Sequence, residues 1–531
     1  MSKRIWASLD DFLPPSDDLP YLGRTMANYY FLSALMKYGT FDEYHFFLTN
    51  TAHIGLFLKH HAPLFEQWGV RERITVTHRL ALEEMAARHD YTVLHQSDHI
   101  NLLNRLCRFR NRIGARFPVT GFIHSISYQQ YMQSYLEMAM IGAGPKDALI
   151  CSSQSGKRVL ENCFDRIAAN CPNGRGRIQM TVVPLGIDEA DEQPSKPAAR
   201  ERLGLDPNEV IGLSFGRFSE VDKMDLFPLV QAFQKAGRSG PFRLVLSGSV
   251  HSRTYLKMLE LWIEALGVGN KVTIFKAPTE ETKRALFSAA DFFVSTADNP
   301  QETFGLTILE AMWAGLPLIV SDFDGYRELV TPDVGIRVPT YWTTDRRLER
   351  AESLLDDRTF HLLASQSICV DVDRLTEALA LMFRNASVRA DMGKKSRRRF
   401  AEHFAHRRII ETLEGVWDTL KTDFNPALPE TDWASLDTFN TFQHYVTGHL
   451  DDDKVVEITD FGRQILSQKA MHPLLPNMAQ IIDNSMVVTM MRDATAPMTV
   501  SEFVSSASRH TSSPRYLLLW MLKHALLRIP N

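Results

Sequence analysis

The chain has 531 residues, 44% hydrophobic and 23% charged, with a formal net charge of -4. Because a single hydrophobic core stops growing well below this size, two or three domains are expected. The small net charge gives no reason to expect nucleic acid or an anionic membrane as the main partner. Five cysteines without a C-x-x-C pair argue against a disulfide framework or structural zinc and favour a reducing, cytoplasmic compartment. The first residues lack the apolar core of a signal peptide, and no apolar run reaches the ~18 residues of a membrane-spanning helix.

Short apolar runs rich in strand-forming residues recur through the first part of the chain. They predict strands at 44–48, 74–77, 91–95, 119–124, 148–152 and 181–187. Segments with helical periodicity, such as 24–38 and 155–168, lie between several of them. Strands that alternate with helices predict a parallel sheet covered on both faces.

The same alternation restarts after a polar, proline-containing stretch at 189–207, which we interpret as a linker. Further strands are predicted at 210–215, 243–246, 272–275, 292–295 and 316–321, followed by a helix at about 391–420. The predicted fold class is therefore α/β, with two doubly wound Rossmann-like domains at 1–190 and 191–424 and a mostly helical accessory domain at 425–531. Because open α/β sheets bind ligands at the carboxyl ends of their strands, the ligand should lie in the cleft between the two domains.

The most informative segment follows the predicted strand 292–295, where a polar loop leads into a helix that Gly315 and Pro317 stop. The N-terminus of this helix should face the cleft, where backbone N–H groups and the helix dipole favour an anion such as a diphosphate. Gly305 allows the backbone to approach a ligand closely. Glu302, just outside the helix, can accept bonds from sugar hydroxyls, and Glu310, more than a turn inside, can bind a ribose diol.

Three more groups are expected at the cleft. Gly216 and Arg217 end a predicted strand, and Lys223 follows six residues after Arg217. Breaking a sugar–diphosphate bond leaves negative charge on the leaving group, which two cations can stabilise without a metal ion. His124 ends a first-domain strand and can bond a sugar hydroxyl, while Gly23 precedes a long helix and offers a second approach to phosphate or acceptor.

These residues resemble the retaining GT-B glycosyltransferases of glycosyltransferase family four, also called glycosyl transferases group 1. That family carries E-x7-E in the context E-x-F-G-x4-E-A-M-A-x-G-x-P. The matching positions are Glu302, Phe304, Gly305, Glu310, Ala311, Met312, Gly315 and Pro317, with Trp313 in place of the usual Ala. Residues 216–223 match G-R…K-G with Met224 in place of the last Gly. Residues 324–328 resemble G-G-x-x-E with Asp324 in place of the first Gly, and 182–188 resemble V-I-P-N-G-V-D with Leu185 in place of Asn.

The resemblance covers about residues 115 to 410 and implies a metal-independent hexosyltransferase that uses a nucleoside-diphosphate sugar and no cofactor. It implies front-side attack with retention, in which the leaving phosphate accepts the acceptor's proton. The catalytic positions it implies are Glu302, His124, Arg217 and Lys223. The implied donor-binding positions are Gly23, Gly216, Thr303, Phe304, Gly305, Leu306, Thr307 and Glu310. The acceptor can be a glycan, a lipid, a peptide or a small molecule, and the resemblance does not decide among them. A peripheral contact with a membrane is also left open.

Other functions compete with this one. A sugar-nucleotide epimerase of the same fold would place acidic and basic groups at the sugar ring and need no acceptor. A non-catalytic sugar-nucleotide-binding protein would keep Arg217 and Lys223 and tolerate loss of Glu302. Residues 212–216 match the G-x-S-x-G elbow of α/β-hydrolases, with Ser214 as nucleophile, but Ser214 falls within an apolar run and not at a strand-to-helix turn.

Weaker patterns complete the sequence. His95, Asp98 and His99 have metal-ligand spacing without an obvious further partner, so no metal site is predicted. The basic run at 394–399 is typical of a solvated helix face, although a membrane-surface or anionic-acceptor role stays open. Residues 455–466 faintly resemble winged-helix sequences, but a helical accessory domain is favoured because no basic recognition helix accompanies them.

Overall fold

The computed structural model describes residues 3–13, 23–172, 178–188, 193–221, 223–237, 240–343, 345–422, 424, 432–467, 474–475, 478 and 481–530. The chain divides into two compact units. The larger unit comprises Met1–Phe46, Lys59–Thr75 and Glu83–Asp432, and the smaller comprises Phe47–Leu58, Val76–Leu82 and Trp433–Asn531. The predicted boundary at 190 and the start of the extension at 425 lie outside the described residues.

The first sheet has seven strands, between which lie the first six α-helices. The strands are β1 (Ile5–Ser8), β2 (Glu43–Leu48), β3 (Ile74–His78), β4 (Tyr91–Gln96), β5 (Val119–Phe122), β6 (Ala148–Cys151) and β7 (Gln179–Val182). The helices are α1 (Gly23–Tyr38), α2 (Thr51–Gln67), α3 (Leu82–Arg88), α4 (Leu103–Ile113), α5 (Tyr131–Met140) and α6 (Gln154–Asn170). The strand order is β3-β2-β1-β4-β5-β6-β7, and the pairings described in residue detail are parallel.

The second sheet has six strands. They are β8 (Val210–Phe215), β9 (Phe242–Gly248), β10 (Val272–Lys276), β11 (Phe292–Ser295), β12 (Leu318–Ser321) and β13 (Gly335–Val338). The order β10-β9-β8-β11-β12-β13 repeats that of the first sheet, again with parallel pairs. Each sheet reverses its winding beside its first strand, at β1/β4 and at β8/β11. The predicted class of two doubly wound Rossmann-like sheets is confirmed, and these switch points are where such sheets bind ligands.

Helices cover both faces of the second sheet. They are α7 (Lys196–Leu203), α8 (Phe227–Gly237), α9 (Arg253–Ala265), α10 (Glu280–Ala289), α11 (Leu306–Trp313), α12 (Tyr326–Leu329), α13 (Arg346–Ala351), α14 (Asp357–Ser365), α15 (Val372–Arg384) and α16 (Ala386–His403). The next helix, α17 (His406–Lys421), packs against the first half instead. A short antiparallel pair, β14 (Thr340–Tyr341) with β15 (Cys369–Val370), lies beside them. One buried core packs α7, α10, α11 and α16 on one face, and another packs α8, α9 and α15 on the other.

Two predicted elements differ from the structure. The stretch 189–207 is not only a linker, because α7 forms within it: Ser195 caps the helix, and proline in its first turn does not break it. The single helix expected at 391–420 is two helices, α16 and α17. The break falls at Phe404 and Ala405, where the Ile187 N–H bonds the Phe404 carbonyl and the Ile187 carbonyl accepts from the His406 N–H, each at 3.3 Å.

Within the two parallel sheets, sequence patterns missed two strands and misplaced a third. β1 is four residues long and fully buried at the centre of the first sheet, between β2 and β4. Only Ile5 and Trp6 in this strand are typical strand formers, which is too weak a signal to predict it. β13 is half exposed and was also missed, and β7 covers 179–182, earlier than the predicted 181–187.

The smaller unit contains most of the C-terminal region. Its helices there are α18 (Thr438–Thr441), α19 (Asp460–Ser467), α20 (Asn484–Asp493), α21 (Val500–Ala507) and α22 (Pro514–Lys523). Helices α19 to α22 pack with a three-stranded antiparallel sheet of β16 (Val455–Ile458), β17 (Met498–Thr499) and β18 (Leu527–Arg528) around an apolar core. The region is mainly helical, as predicted, with this small sheet in addition. Within the described residues, no helix combines the length and the apolar character needed to cross a membrane.

Candidate active site

The N-terminus of α11 lies at the switch point of the second sheet. It follows β11, and its first residue, Leu306, comes after Gly305, whose φ of 105° lies in the left-handed region. A Cβ at Gly305 would come within 2.5 Å of Cε1 of Tyr326, so glycine is required there by conformation and by space. Among the described residues, no side chain caps this helix start. Its first backbone N–H groups are therefore left without a side-chain cap, which is what the predicted anion site requires.

An ion pair joins two of the predicted residues. Lys223 Nζ contacts Glu302 Oε2, and both side chains are largely buried. Burial opposes ionisation of each group, but the attraction between the two charges outweighs it, so the pKa of Lys223 is raised and that of Glu302 is lowered. Both groups are therefore charged at neutral pH, and each holds the other in place.

Arg217 and Gly216 follow β8 directly, beside β9. The Gly216 N–H bonds the Ser247 carbonyl at 2.9 Å. Gly248, at the end of β9, packs so closely that a Cβ there would overlap the Gly216 carbonyl oxygen. This approach fixes the path of the Gly216–Arg217 backbone. The positive charge of Arg217 also helps to lower the pKa of Glu302, which places the guanidinium near the ion pair.

His124 faces the same space from the first Rossmann-like half. Burial lowers the pKa of His124 to about 4, so its ring is neutral at pH 7. Its Nε2 atom lies 2.8 Å from the Ser97 carbonyl oxygen, and because a carbonyl only accepts, the ring proton resides on Nε2. The Thr303 hydroxyl donates to the His124 carbonyl at 2.9 Å, which links this strand end to the loop before α11.

A cavity of about 760 Å³ unites most of the predicted residues, and all of its lining belongs to the larger unit. The predicted residues that line it are His124, Gly216, Arg217, Lys223, Glu302, Thr303, Phe304, Gly305, Leu306 and Thr307. Gly23 begins α1, and Arg24 directly after it lines the cavity.

Glu310 lines a different cavity, of about 500 Å³. It pairs with Lys283 at 2.6 Å, and its Oε2 atom is buried without a hydrogen-bond partner among the described residues. Lys283 also lies 5.6 Å from the centre of the Phe215 ring, and Phe215 lines the larger cavity. The two cavities therefore adjoin at Phe215, with Glu302 in one and Glu310 in the other.

Part of the chain is similar to a known protein family. Residues 195–369 match the family described as glycosyl transferases group 1. The matched segment contains Arg217, Lys223, Glu302 and Glu310, and the chain carries the family's sequence motifs around them. Residues 195–369, called the glycosyltransferase domain below, are similar to this family.

Curated relatives share this glycosyltransferase domain with moderate identity. The D-inositol 3-phosphate glycosyltransferase of Segniliparus rotundus is 28% identical over 210 residues, which cover 38% of this chain and 46% of that protein. The GDP-mannose-dependent alpha-(1-6)-phosphatidylinositol dimannoside mannosyltransferase of Mycobacterium tuberculosis is 29% identical over 191 residues, covering 36% and 44%. The chain thus spans less than half the length of these relatives.

Similarity among solved structures extends beyond the glycosyltransferase domain to both Rossmann-like halves. Anabaena Alr3699/HepE in complex with UDP matches 78% of this chain and 100% of its own, with a TM-score of 0.51 and 17% identity. At this identity the likeness concerns the fold. It confirms the GT-B fold implied by the sequence motifs.

The glycosyltransferase domain also contacts the first half beside the site. The Glu328 carboxylate accepts bonds from the N–H groups of Gln154 and Ser155, at 2.7 and 2.8 Å, at the start of α6. The Ser153 hydroxyl donates to the Thr303 carbonyl at 2.9 Å. The two halves of the larger unit are therefore joined by hydrogen bonds directly behind the loop that carries Glu302.

Several residues at the cavity were not predicted from the sequence. Gly248 is the last residue of β9 and Ser249 follows it, while Tyr128, Tyr131 and Gln301 also line the cavity. The glycine at the carboxyl end of a strand was a usable signal, since the switch point lies at that edge. Tyr128 and Tyr131 lie outside any recognisable motif, and only the fold brings them to the cavity.

Other patterns noted in the sequence do not converge on the cavity as a metal or nucleophile site. Ser214 lies inside β8 and is buried, so it is not at a strand-to-helix turn. His95 bonds the Thr120 hydroxyl at 2.9 Å and His99 bonds the Tyr135 hydroxyl at 2.9 Å, each away from the other. The basic residues of α16 are engaged as well: Lys395 pairs with Asp391, and Arg397 donates to the Trp313 carbonyl.

Proposed function

We propose that the protein transfers a hexosyl unit from a nucleoside-diphosphate sugar to an acceptor, with retention and without a metal ion. The observation that carries the proposal is the convergence of Arg217, Lys223 and Glu302 on the N-terminus of α11 within one cavity. Two cations and a helix start favour a diphosphate, and the buried carboxylate beside them suits sugar hydroxyls. The matched family supports the same reaction class.

The donor is placed across the two adjoining cavities. Its diphosphate binds the α11 N-terminus with Arg217 and Lys223, its sugar contacts Glu302 and His124, and its nucleoside extends toward Glu310. The 500 Å³ cavity is of a size typical for a small-molecule site. A UDP complex among proteins of this fold supports a nucleoside diphosphate as the ligand.

In this proposal, charge that develops on the leaving diphosphate is stabilised by Arg217, Lys223 and the helix start, which are already in place before reaction. The acceptor hydroxyl attacks the anomeric carbon from the face that the diphosphate leaves, and its proton passes to a phosphate oxygen. His124 is not the base, because burial lowers its pKa to about 4 and its Nε2–H is bonded to the Ser97 carbonyl. It serves as a hydrogen-bonding group for the sugar.

Substitution of Glu302 tests the proposal. Glu302→Gln should lower the turnover of nucleotide sugar by roughly 10²-fold or more, because a preorganised charged contact is lost. Retained nucleotide binding and an unchanged far-UV circular dichroism spectrum would show that the fold survives. Ser214→Ala is the matched control and should leave turnover intact. Full activity of Glu302→Gln would overturn the proposal, and loss of activity in Ser214→Ala would revive the hydrolase.

The product distinguishes the competing enzymes. A transferase should consume nucleotide sugar and release nucleoside diphosphate with or without EDTA, whereas an epimerase should return an isomeric nucleotide sugar. A strict requirement for a divalent ion would contradict the metal-free mechanism.

We also propose that the protein is cytoplasmic. Its five unpaired cysteines support a reducing compartment.

A further inference from the structure

The wall of the 760 Å³ cavity that faces Glu302 comes from the first Rossmann-like half. This wall, which we call the acceptor wall, is formed by Arg24 at the start of α1, by Asp98 and Asn101 after β4, and by Tyr128, Gln130 and Tyr131 at the start of α5. The family resemblance is weakest in this half. The chemistry of the wall therefore has to be derived from its own residues.

Two aromatic rings form the centre of the acceptor wall. The rings of Tyr128 and Tyr131 have centroids 5.1 Å apart. Tyr128 is held from the other half of the fold, since its hydroxyl accepts a bond from Gln301 Nε2 and its ring meets the edge of His361 at 5.1 Å. Apolar ring surface with polar edges suits a ligand that presents both C–H and O–H groups.

Gln301 adds an unused hydrogen-bond acceptor. Its Nε2 is engaged by Tyr128, but its Oε1 is buried without a partner among the described residues, although Gln301 lines the cavity next to Glu302. Because a buried acceptor without a donor is costly, a ligand hydroxyl is the natural partner. Asn101 and Gln130 bring further amide groups to the same wall, and an amide side chain both donates and accepts.

The charges of the acceptor wall cancel. Arg24 is its one cation among the described lining residues, and Asp98 is its anion, with a carboxylate that accepts N–H bonds from Ile100 and Asn101 at 2.8 Å. Burial lowers the pKa of His99 and of His124 to about 4, so neither ring adds positive charge at neutral pH. Recognition of a phosphorylated acceptor would favour several cations placed together.

We propose that the acceptor is an uncharged polyhydroxylated molecule, a saccharide unit, which contacts the Tyr128 and Tyr131 rings and donates a hydroxyl hydrogen bond to Gln301 Oε1. This inference rests on the proposed transferase function. It deepens that function by naming the class of acceptor and the residues that select it.

The experiment uses the full chain and proceeds in two steps. Thermal shift and calorimetry with UDP and GDP first establish which nucleotide loads the donor site. Saturation-transfer NMR then measures binding to the loaded protein of matched pairs: glucose with glucose 6-phosphate, mannose with mannose 6-phosphate, and myo-inositol with its monophosphate. We expect a neutral member to bind at least tenfold more tightly than its phosphate.

Variants then locate the site. Tyr131→Ala should abolish the NMR signal of the neutral ligand, whereas Tyr131→Phe should retain it. The control is Tyr445→Ala, at an exposed tyrosine of the smaller unit, which should also retain the signal. Nucleotide affinity of Tyr131→Ala should equal that of the wild type. If nucleotide binds but the phosphates bind more tightly, or no neutral ligand binds, the inference is overturned and the proposed function stands. If neither UDP nor GDP binds, the inference about the acceptor and the proposed transferase function both fail.

Discussion

Asp324 takes the place of the first Gly in the G-G-x-x-E motif that residues 324–328 resemble, and its backbone shows what the position requires. Its φ is +47°, in the left-handed region that glycine adopts freely and that aspartate tolerates better than most residues. Its Oδ2 atom is buried and lacks a hydrogen-bond partner among the described residues. Burial, reinforced by the charge of Glu302, raises the pKa of Asp324 well above its usual value.

This shift makes the free energy of unfolding depend on pH. Because the folded protein binds the Asp324 proton more tightly than the unfolded chain does, the carboxyl destabilises the fold increasingly as pH rises above its ordinary pKa of 3.8. Asp324→Asn keeps the backbone preference and removes the titration. We expect it to be more stable than the wild type by at least about 1 kcal/mol at pH 8 and by less at pH 5, measured by chemical denaturation.

Asp373→Asn is the control for this prediction, because the Asp373 side chain is 85% exposed and pairs with Lys235 at the surface. Its stability relative to the wild type should be nearly the same at both pH values. If the stability difference between Asp324→Asn and the wild type does not increase from pH 5 to pH 8, Asp324 is ionised without cost in the folded state.

Helix α6 shows how one element positions another. Its N-terminus is capped from within by Ser153, whose hydroxyl accepts from the Gly156 N–H, and from the glycosyltransferase domain by Glu328. A carboxylate at a helix start satisfies backbone N–H groups and interacts favourably with the helix dipole. Arg399 fixes the Glu328 backbone by donating to its carbonyl at 2.8 Å. The cap therefore joins α6 to α12, the helix that carries Glu328.

Removal of this cap should affect both stability and binding. Glu328→Ala should lower the free energy of unfolding by about 1–2 kcal/mol, because two helix N–H groups lose their acceptor. It should also weaken nucleotide binding, since the two halves of the larger unit are less firmly joined. Denaturation and calorimetry measure these effects. Glu377→Ala, at an exposed surface pair with Arg374, should change neither, and an equal effect of the two substitutions would refute the role of the cap.

At the scale of the whole molecule, α17 returns the chain from the second sheet to the first. Trp417 on this helix is fully buried against Phe31, Phe41 and His95, and its Nε1 donates to the Thr120 hydroxyl at 3.1 Å. Nearby, Arg4 pairs with Asp418 at 2.9 Å. The helix that closes the second half in sequence thus completes the core of the first half.

Trp417→Ala should therefore destabilise the first half although residue 417 follows the second in sequence. We expect a loss of about 3–5 kcal/mol, because a large side chain is removed from a packed core and one hydrogen bond is broken. Trp433→Ala, at a 62% exposed tryptophan, should stay within about 0.5 kcal/mol of the wild type. Urea denaturation measures both. A small loss at Trp417 would mean that α17 packs loosely on the first sheet.

The local chemistry of the site is largely readable from the sequence. β8 and β11 have the predicted bounds, α11 begins just after Gly305, and most of the predicted residues meet in one cavity. These features depend on short-range signals, such as an apolar run, a glycine and a helix period, which neighbouring residues supply among themselves. The residues of the proposed donor site can therefore be predicted from a few short stretches of chain.

Contacts between distant residues are decided by the tertiary structure. The Lys223–Glu302 ion pair and the capping of α6 by Glu328 each join segments far apart in sequence. Glu302 and Glu310 are close in sequence, but only the packing around them places the two carboxylates in different cavities. β1 belongs to the same group, since four residues become the centre of a sheet only when β2 and β4 lie on either side. A residue pattern encodes what its own neighbours can form, whereas partners across the fold depend on where every intervening element packs.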